Sequence, residues 1–188
     1  MRADSLDVIE QASFRYGIAV GSNAGDPKAN LRAGLSRLMA LLPEARLTAV
    51  APLYETDPVD CPPGSQVFFN SVVEIECSLT PHALREVTAE VERWAGRPEV
   101  RERNAPRTLD LDLLYCGIAV VDDAILTIPH PRLTQRRFVL APLSEIRPDL
   151  VLPGQQATIR ELLTALPPGE EVVQVADKDW LEIPQDLQ

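Results

Sequence analysis

Residues 106–114 read PRTLDLDLL, and the alternation inside them decides the fold. From Thr108 onward a polar residue alternates with leucine. Successive side chains of an extended chain point to opposite faces. Thr108, Asp110 and Asp112 therefore share one face, and Leu109, Leu111 and Leu113 share the other. A strand of this pattern buries its leucines, so it needs a sheet beside it and a layer of helices behind it.

Upstream of this strand, residues 97–106 form a polar, arginine-rich loop, expected to close over bound ligands. Before it, Thr80 and Pro81 start a helix, Leu84, Val87, Val91 and Trp94 form its apolar stripe, and Gly96 ends it. Phe69, Ser71, Val73 and Ile75 alternate with Asn70, Val72, Glu74 and Glu76, the pattern of another strand. The stretch 55–66 (ETDPVDCPPGSQ) is a loop long enough to suggest function. Residues 46–53 read as a strand. Asp26 caps a helix that opens on Pro27 and carries Leu31, Leu35, Leu38 and Leu42 at helical spacing. Residues 16–20 (YGIAV) are a buried strand ending at Gly21.

Downstream, Gly117 closes the 109–115 strand and residues 118–121 are expected to pair nearby. Residues 158–166 read as a last helix. The order over residues 16–115 is thus β-α-β-β-α-β, an α+β, ferredoxin-like core: an antiparallel sheet with two helices on one face, followed by a C-terminal extension. One domain over residues 15–167 is expected between a tail at 1–14 and an acidic tail at 168–188. Many functions share this fold, so it settles none.

Composition narrows the classes. The chain of 188 residues is 45% hydrophobic and 24% charged, ordinary for a globular protein. No apolar run approaches the roughly 20 residues of a membrane span. Residues 1–13 include Asp4, Asp7 and Glu10 and lack an apolar core, so they read as neither a signal peptide nor a basic targeting helix, and a cytoplasmic protein is expected. Cys61, Cys77 and Cys116 form an odd set without paired spacing, suited to a reducing compartment and not to a metal site. A net charge of −10 argues against a nucleic-acid partner. Lys28 and Lys178 are the only lysines, and Arg97, Arg101, Arg103, Arg107, Arg132, Arg136 and Arg137 crowd the middle of the chain. That concentration suggests a local anion site, since the guanidinium fork matches phosphate geometry; a solvated loop is the alternative.

Asp110 and Asp112 on one strand face repel unless water or a cation separates them. Magnesium, bound by oxygen ligands and bridging to substrate phosphates, resolves the repulsion, and two such ions would activate both attacking and leaving oxygens. A bare D-x-D is equally compatible with a solvated strand face. Arg107, three residues before Asp110, and Arg97, Arg101 and Arg103 favour a phosphoryl-transfer site. His130, between two prolines and just before Arg132, Arg136 and Arg137, is a candidate phosphate or base contact, with a structural histidine as the alternative. His82 receives no function. Phe68 and Phe138 would sandwich a flat heteroaromatic ring if they faced each other.

With these residues placed, the chain closely resembles the hydroxymethyldihydropterin pyrophosphokinase family of folate biosynthesis. The likeness runs over about residues 16–153. It includes GSN at 21–23, LYETDP at 53–58, FFN at 68–70, Glu92, Gly96 and Arg97, PRTLDLDLL, IPHPRL and RRFVLAPLSEI, in that order. The resemblance implies that the pterin hydroxymethyl oxygen attacks the β-phosphorus of ATP and that AMP leaves. It implies two magnesium ions on Asp110 and Asp112, with Arg97 and Arg107 on the triphosphate as catalytic residues. His130 and Arg136 would hold ATP. Thr56, Pro58, Val59, Phe68, Asn70 and Phe138 would form the pterin pocket. The chain departs from the family pattern at Glu99, Asn104 and Ala105, where a further basic residue and Trp-Gly are usual. A non-catalytic nucleotide- or pterin-binding module is the competing reading, and an RNA-binding domain a weaker one. A monomer is expected, with a homodimer as the alternative, and no nucleic acid or membrane partner.

Overall fold

The computed structural model describes residues 13–57, 66–97, 106–169 and 171–181. Chain order begins β1 (Phe14–Ser22), α1 (Pro27–Leu41), β2 (Arg46–Val50), β3 (Leu53–Thr56), β4 (Phe68–Cys77), α2 (Pro81–Trp94) and β5 (Asp110–Cys116). A small hairpin, β6 (Val121–Asp122) and β7 (Thr127–Ile128), leads to α3 (Arg137–Ile146), α4 (Ile159–Ala165) and β8 (Val172–Ala176). The main sheet is ordered β5-β1-β4-β3-β8, with β2 also on β4 and every pair antiparallel. The arrangement β5-β1-β4-β2/β3 is the ferredoxin-like one, in which α1 and α2 each connect strands separated by one other strand.

Local chemistry starts both crossover helices. The Asp26 carboxylate accepts from the Ala29 N–H at 3.1 Å, and Pro27 supplies the first helical residue. Thr80 and Pro81 repeat the device at α2. Each such cap contributes about 1 kcal/mol. The two helices cover one sheet face, where Ile18, Val20, Leu31, Leu35, Leu38, Val73, Ile75, Leu84, Leu111 and Leu113 form a continuous core. The stripe expected on α2 is corrected at its end. Trp94 is 54% exposed, and the fully buried positions are Leu84, Thr88, Val91 and Glu92.

The expected strand at 46–53 is two strands. Pro52 has no N–H to donate, so the ladder breaks there. At the break the Ala51 N–H donates to the Val72 carbonyl, and the Ala51 carbonyl accepts from Ser71 Oγ at 3.0 Å and Trp180 Nε1 at 2.8 Å.

The two core helices share one face as expected, and the C-terminal extension adds α3 and α4 on the other. Val72, Leu114, Tyr115, Val139, Leu140, Leu143 and Ile159 build a second core between the sheet and α3–α4. The pairing expected at 118–121 is confined to Val121, which faces Ile128 in the β6–β7 hairpin. The acidic tail expected at 168–188 is also corrected over its described part. Residues 172–176 pair with β3, and Trp180 is buried at 4% exposure, its carbonyl held by Arg32 Nε at 2.7 Å. Among the described residues no helix is long and apolar enough to cross a membrane.

Candidate active site

The register of three neighbouring strands builds the site. Gly21 on β1 stands opposite Asn70 on β4 and Asp110 on β5, and Ala19 stands opposite Asp112. Tyr54 faces Asn70 from β3, so Tyr54, Asn70, Gly21 and Asp110 form a row across the sheet. A β-carbon on Gly21 would lie 2.9 Å from Asn70 Oδ1, closer than real β-carbons come. Glycine there lets the carboxamide lie across the middle strand. By strand alternation Phe68 and Asn70 share the face of Val72, which packs against α3. Asp110 and Asp112 likewise share the face of Leu114. The sequence-predicted acids and pterin contacts therefore open on the face away from α1 and α2.

The acidic pair is ringed by cations. Arg107 Nη1 donates to Asp110 Oδ2, and Arg97 Nη1 lies 3.5 Å from Asp110 Oδ1. Arg136 Nη1 lies 3.9 Å from Asp112 Oδ2. Asp112 keeps 42% of its side-chain surface open. Even so, surrounding protein and the Asp110 carboxylate push its carboxyl above its ordinary value, against the pull of His130, Arg136 and Arg107. Burial depresses His130, and Arg136 and Arg132 depress it further, with Asp112 opposing them. The His130 Nδ1 accepts from the Arg132 N–H at 3.2 Å, so the neutral ring carries its proton on Nε2. The His130 N–H donates to the Leu114 carbonyl at 2.8 Å, which ties the loop to β5.

Magnesium fits this donor set. Two carboxylates on one strand face, one of them already pushed toward its neutral form by burial and by the other, are hard oxygen donors whose repulsion a divalent cation relieves. Among the described residues no cluster of three or more His, Cys, Asp or Glu offers a metal site. A cation on this pair would draw its remaining ligands from substrate phosphates and water, as magnesium commonly does.

The residues expected to form a pterin pocket are brought together in part. Thr56 and Asn70 are buried, and Asn70 Nδ2 donates to Thr56 Oγ1 at 2.8 Å. Phe68 opens β4 and Phe138 lies in the first turn of α3, both half-buried. Among the described residues no ring contact joins these two, so they share a side of the sheet without touching. Pro58 and Val59 lie outside the described residues. So do Cys61 and residues 98–105, with Glu99, Arg101, Arg103, Asn104 and Ala105 and the expected loop closure.

Residue-by-residue reasoning gave Glu92 no role. It is buried, accepts from the Leu111 N–H at 3.0 Å, and forms an ion pair with Arg97. Strand β5 is an edge strand, and Glu92 satisfies one of its outward N–H groups while aiming Arg97 at Asp110. Burial raises its carboxyl, with Asp110 and Asp112 adding, against the Leu111 N–H and Arg97. The signal was present: positions 84, 88 and 92 recur every four residues on one helix face, and an acid on a buried face needs a partner.

A ferredoxin-like sheet bearing an acidic pair ringed by arginines and a histidine has the composition of a metal-assisted phosphoryl-transfer protein. Residues 17–148 match the family model of 7,8-dihydro-6-hydroxymethylpterin-pyrophosphokinase. The chain belongs to that family. It is 42% identical over 153 residues to the 2-amino-4-hydroxy-6-hydroxymethyldihydropteridine pyrophosphokinase of Methylorubrum extorquens, covering 81% of this chain and 93% of the relative. The protein of the same description from Bacillus subtilis is 44% identical over 130 residues, 69% of this chain and 75% of the relative. Among solved structures, a Plasmodium falciparum HPPK-DHPS superposes with a TM-score of 0.65 at 14% identity. It covers 83% of this chain, which spans only 44% of that one, and at this identity the likeness is one of fold.

Proposed function

We propose that this chain transfers a pyrophosphoryl group from ATP to the hydroxymethyl group of 6-hydroxymethyl-7,8-dihydropterin, in folate biosynthesis. Family membership and nearly full-length relatives of that description support the reaction. The observation that carries it is the convergence of Arg97, Arg107 and Arg136 on the Asp110–Asp112 pair. The hydroxymethyl oxygen bonds to the β-phosphorus and loses its proton to solvent. The bond from the β-phosphorus to the α,β-bridging oxygen breaks, and AMP leaves with that oxygen.

Asp110 and Asp112 would hold magnesium, two ions in this reading. When bound, such cations offset triphosphate charge and polarise the phosphoryl oxygens. Arg97 and Arg107, aimed at Asp110, contact the triphosphate and stabilise charge as it develops. His130 and Arg136 hold ATP from the Asp112 side. Thr56 and Asn70 supply the polar edge of the pterin pocket, and Phe68 and Phe138 its apolar faces. The free, buried Cys77 and Cys116 suit a reducing, cytoplasmic setting.

The test is direct. Purified protein is incubated with ATP, magnesium and the reduced hydroxymethyl pterin, and the nucleotide product is identified. AMP is the expected product. ADP would indicate simple phosphoryl transfer, and unconsumed ATP would leave a binding module.

A further inference from the structure

We infer that Asn23 is a positioning residue for the transfer reaction, acting through Arg107; the inference rests on the assignment of Arg107 to the triphosphate. Asn23 is 2% exposed and grips the Arg107 backbone from both sides. Its N–H donates to the Arg107 carbonyl at 2.9 Å, and its side-chain Oδ1 accepts from the Arg107 N–H at 2.7 Å. Ser22 Oγ adds a longer bond to the same carbonyl at 3.4 Å.

The position of this clamp gives it consequence. The β1–β5 ladder ends at the pair Gly21–Asp110, so residues 107–109 lie beyond the last strand pairing. Contacts at both ends hold that stretch. Leu109 is buried in a notch at Gly34, where a β-carbon would lie 2.5 Å from Leu109 Cδ2. Asn23 holds the other end, at Arg107. With both in place, the Arg107 guanidinium reaches forward three residues to Asp110. Without Asn23 the Arg107 N–H loses its partner, and the guanidinium loses its fixed origin. The Asn23 side chain is spent on the Arg107 backbone, so it works by placing the group assigned to the triphosphate. The turn that carries it is held by Asn30, whose Nδ2 donates to the Ala24 carbonyl at 2.7 Å.

A double-mutant cycle in turnover tests the inference. Asn23→Ala is expected to lower kcat about 10- to 100-fold, the cost of a small misplacement of a catalytic group, with the pterin KM little changed. Asn23→Asp, which keeps an acceptor oxygen for the Arg107 N–H, is expected to recover most of the loss. In an Arg107→Ala background, Asn23→Ala is expected to cost little more, because the group it places is gone. Should Asn23→Ala fail to fold, the same cycle is run with Asn23→Ser. Full multiplication of the two losses would overturn the positioning role and leave Arg107 in place. Unchanged turnover in Arg107→Ala alone would overturn the Arg107 assignment itself, and the inference with it.

Discussion

The Arg136 guanidinium lies over the ring of Phe138, 5.4 Å from its centroid, while reaching toward Asp112. One side chain thus links a residue assigned to the pterin with one assigned to metal. Removing the ring should act on both sites, but unequally. Phe138→Ala is expected to weaken pterin binding by roughly 1–3 kcal/mol, the scale of a buried aromatic contact. The loss in ATP affinity should be smaller, since Arg136 keeps its charge and loses only its stacking partner. Titration with each ligand separately measures the two. Equal losses would assign Phe138 to the packing of α3 instead.

The acidic pair should separate chemistry from folding. Asp110→Asn and Asp112→Asn each remove a charged oxygen donor and leave both cores untouched. Activity is expected to fall by more than the roughly 10–100-fold that partners outside a metal's ligand shell cost. Thermal stability of Asp112→Asn should stay close to that of the parent or rise, because burial and the neighbouring Asp110 carboxylate both disfavour its charge. Near-parental turnover at saturating magnesium, in a variant with normal circular dichroism, would remove the two-aspartate assignment.

The strand 110–116 was legible because its two faces differ: leucine packs on α1 and α2, and aspartate opens on the other side. Helices α1 and α2 were legible from their caps. Helix α3 was not, because Pro142 sits inside it and interrupts the helical pattern. Strand β4 was legible as a strand from its alternation, but that alternation did not show that Glu74 is buried. It is buried because Arg147, from beyond α3, comes to meet it. Strand β8 escaped notice because none of its residues is fully buried, and its pairing with β3, which the sequence pattern does not show, helps to order it. In the site, the acids, arginines and histidine were visible as motifs. Their convergence was not, since it depends on the register that sets Asn70, Gly21 and Asp110 in one row.

Glu74 supports a prediction about acid stability. Burial alone would raise its carboxyl. Hydrogen bonds from Arg147, Tyr115 and Thr48 overcome that and hold it below its ordinary value. A folded-state pKa below the unfolded one gives stability that is present above the unfolded value. That stability is lost as pH falls through the folded one. Denaturant unfolding as a function of pH should therefore show a loss beginning at the ordinary glutamate range and continuing below it. Arg147→Ala should cost about 3 kcal/mol near neutral pH, the low end for breaking a buried pair, since Arg147 is itself a third exposed. The acid limb of the variant should move to higher pH. An unchanged acid limb would mean that Glu74 is not held ionised by this network.

The C-terminal segment yields the last prediction, because it lies beyond the residues that match the family model and yet completes the sheet. Trp180 is buried against the α1–α2 core, and its indole N–H donates to the Ala51 carbonyl at the break between β2 and β3. Strand β8, just before it, pairs along β3, and Val172 stands opposite Thr56. Thr56 in turn accepts from Asn70, so the segment carrying Trp180 leads to the polar edge of the proposed pterin pocket. Trp180→Ala should cost about 3–5 kcal/mol through the cavity it leaves. Trp180→Phe should cost about 1 kcal/mol, since it keeps most of the packing and loses one hydrogen bond, while Ser71 still satisfies the Ala51 carbonyl. If β8 supports the pocket, the pterin KM should rise in Trp180→Ala under conditions where the variant is fully folded, and the ATP KM should change less. Steady-state kinetics at a temperature well below the variant's Tm separates the two effects. A loss of stability with both KM values unchanged would confine Trp180 to the core and detach β8 from substrate recognition.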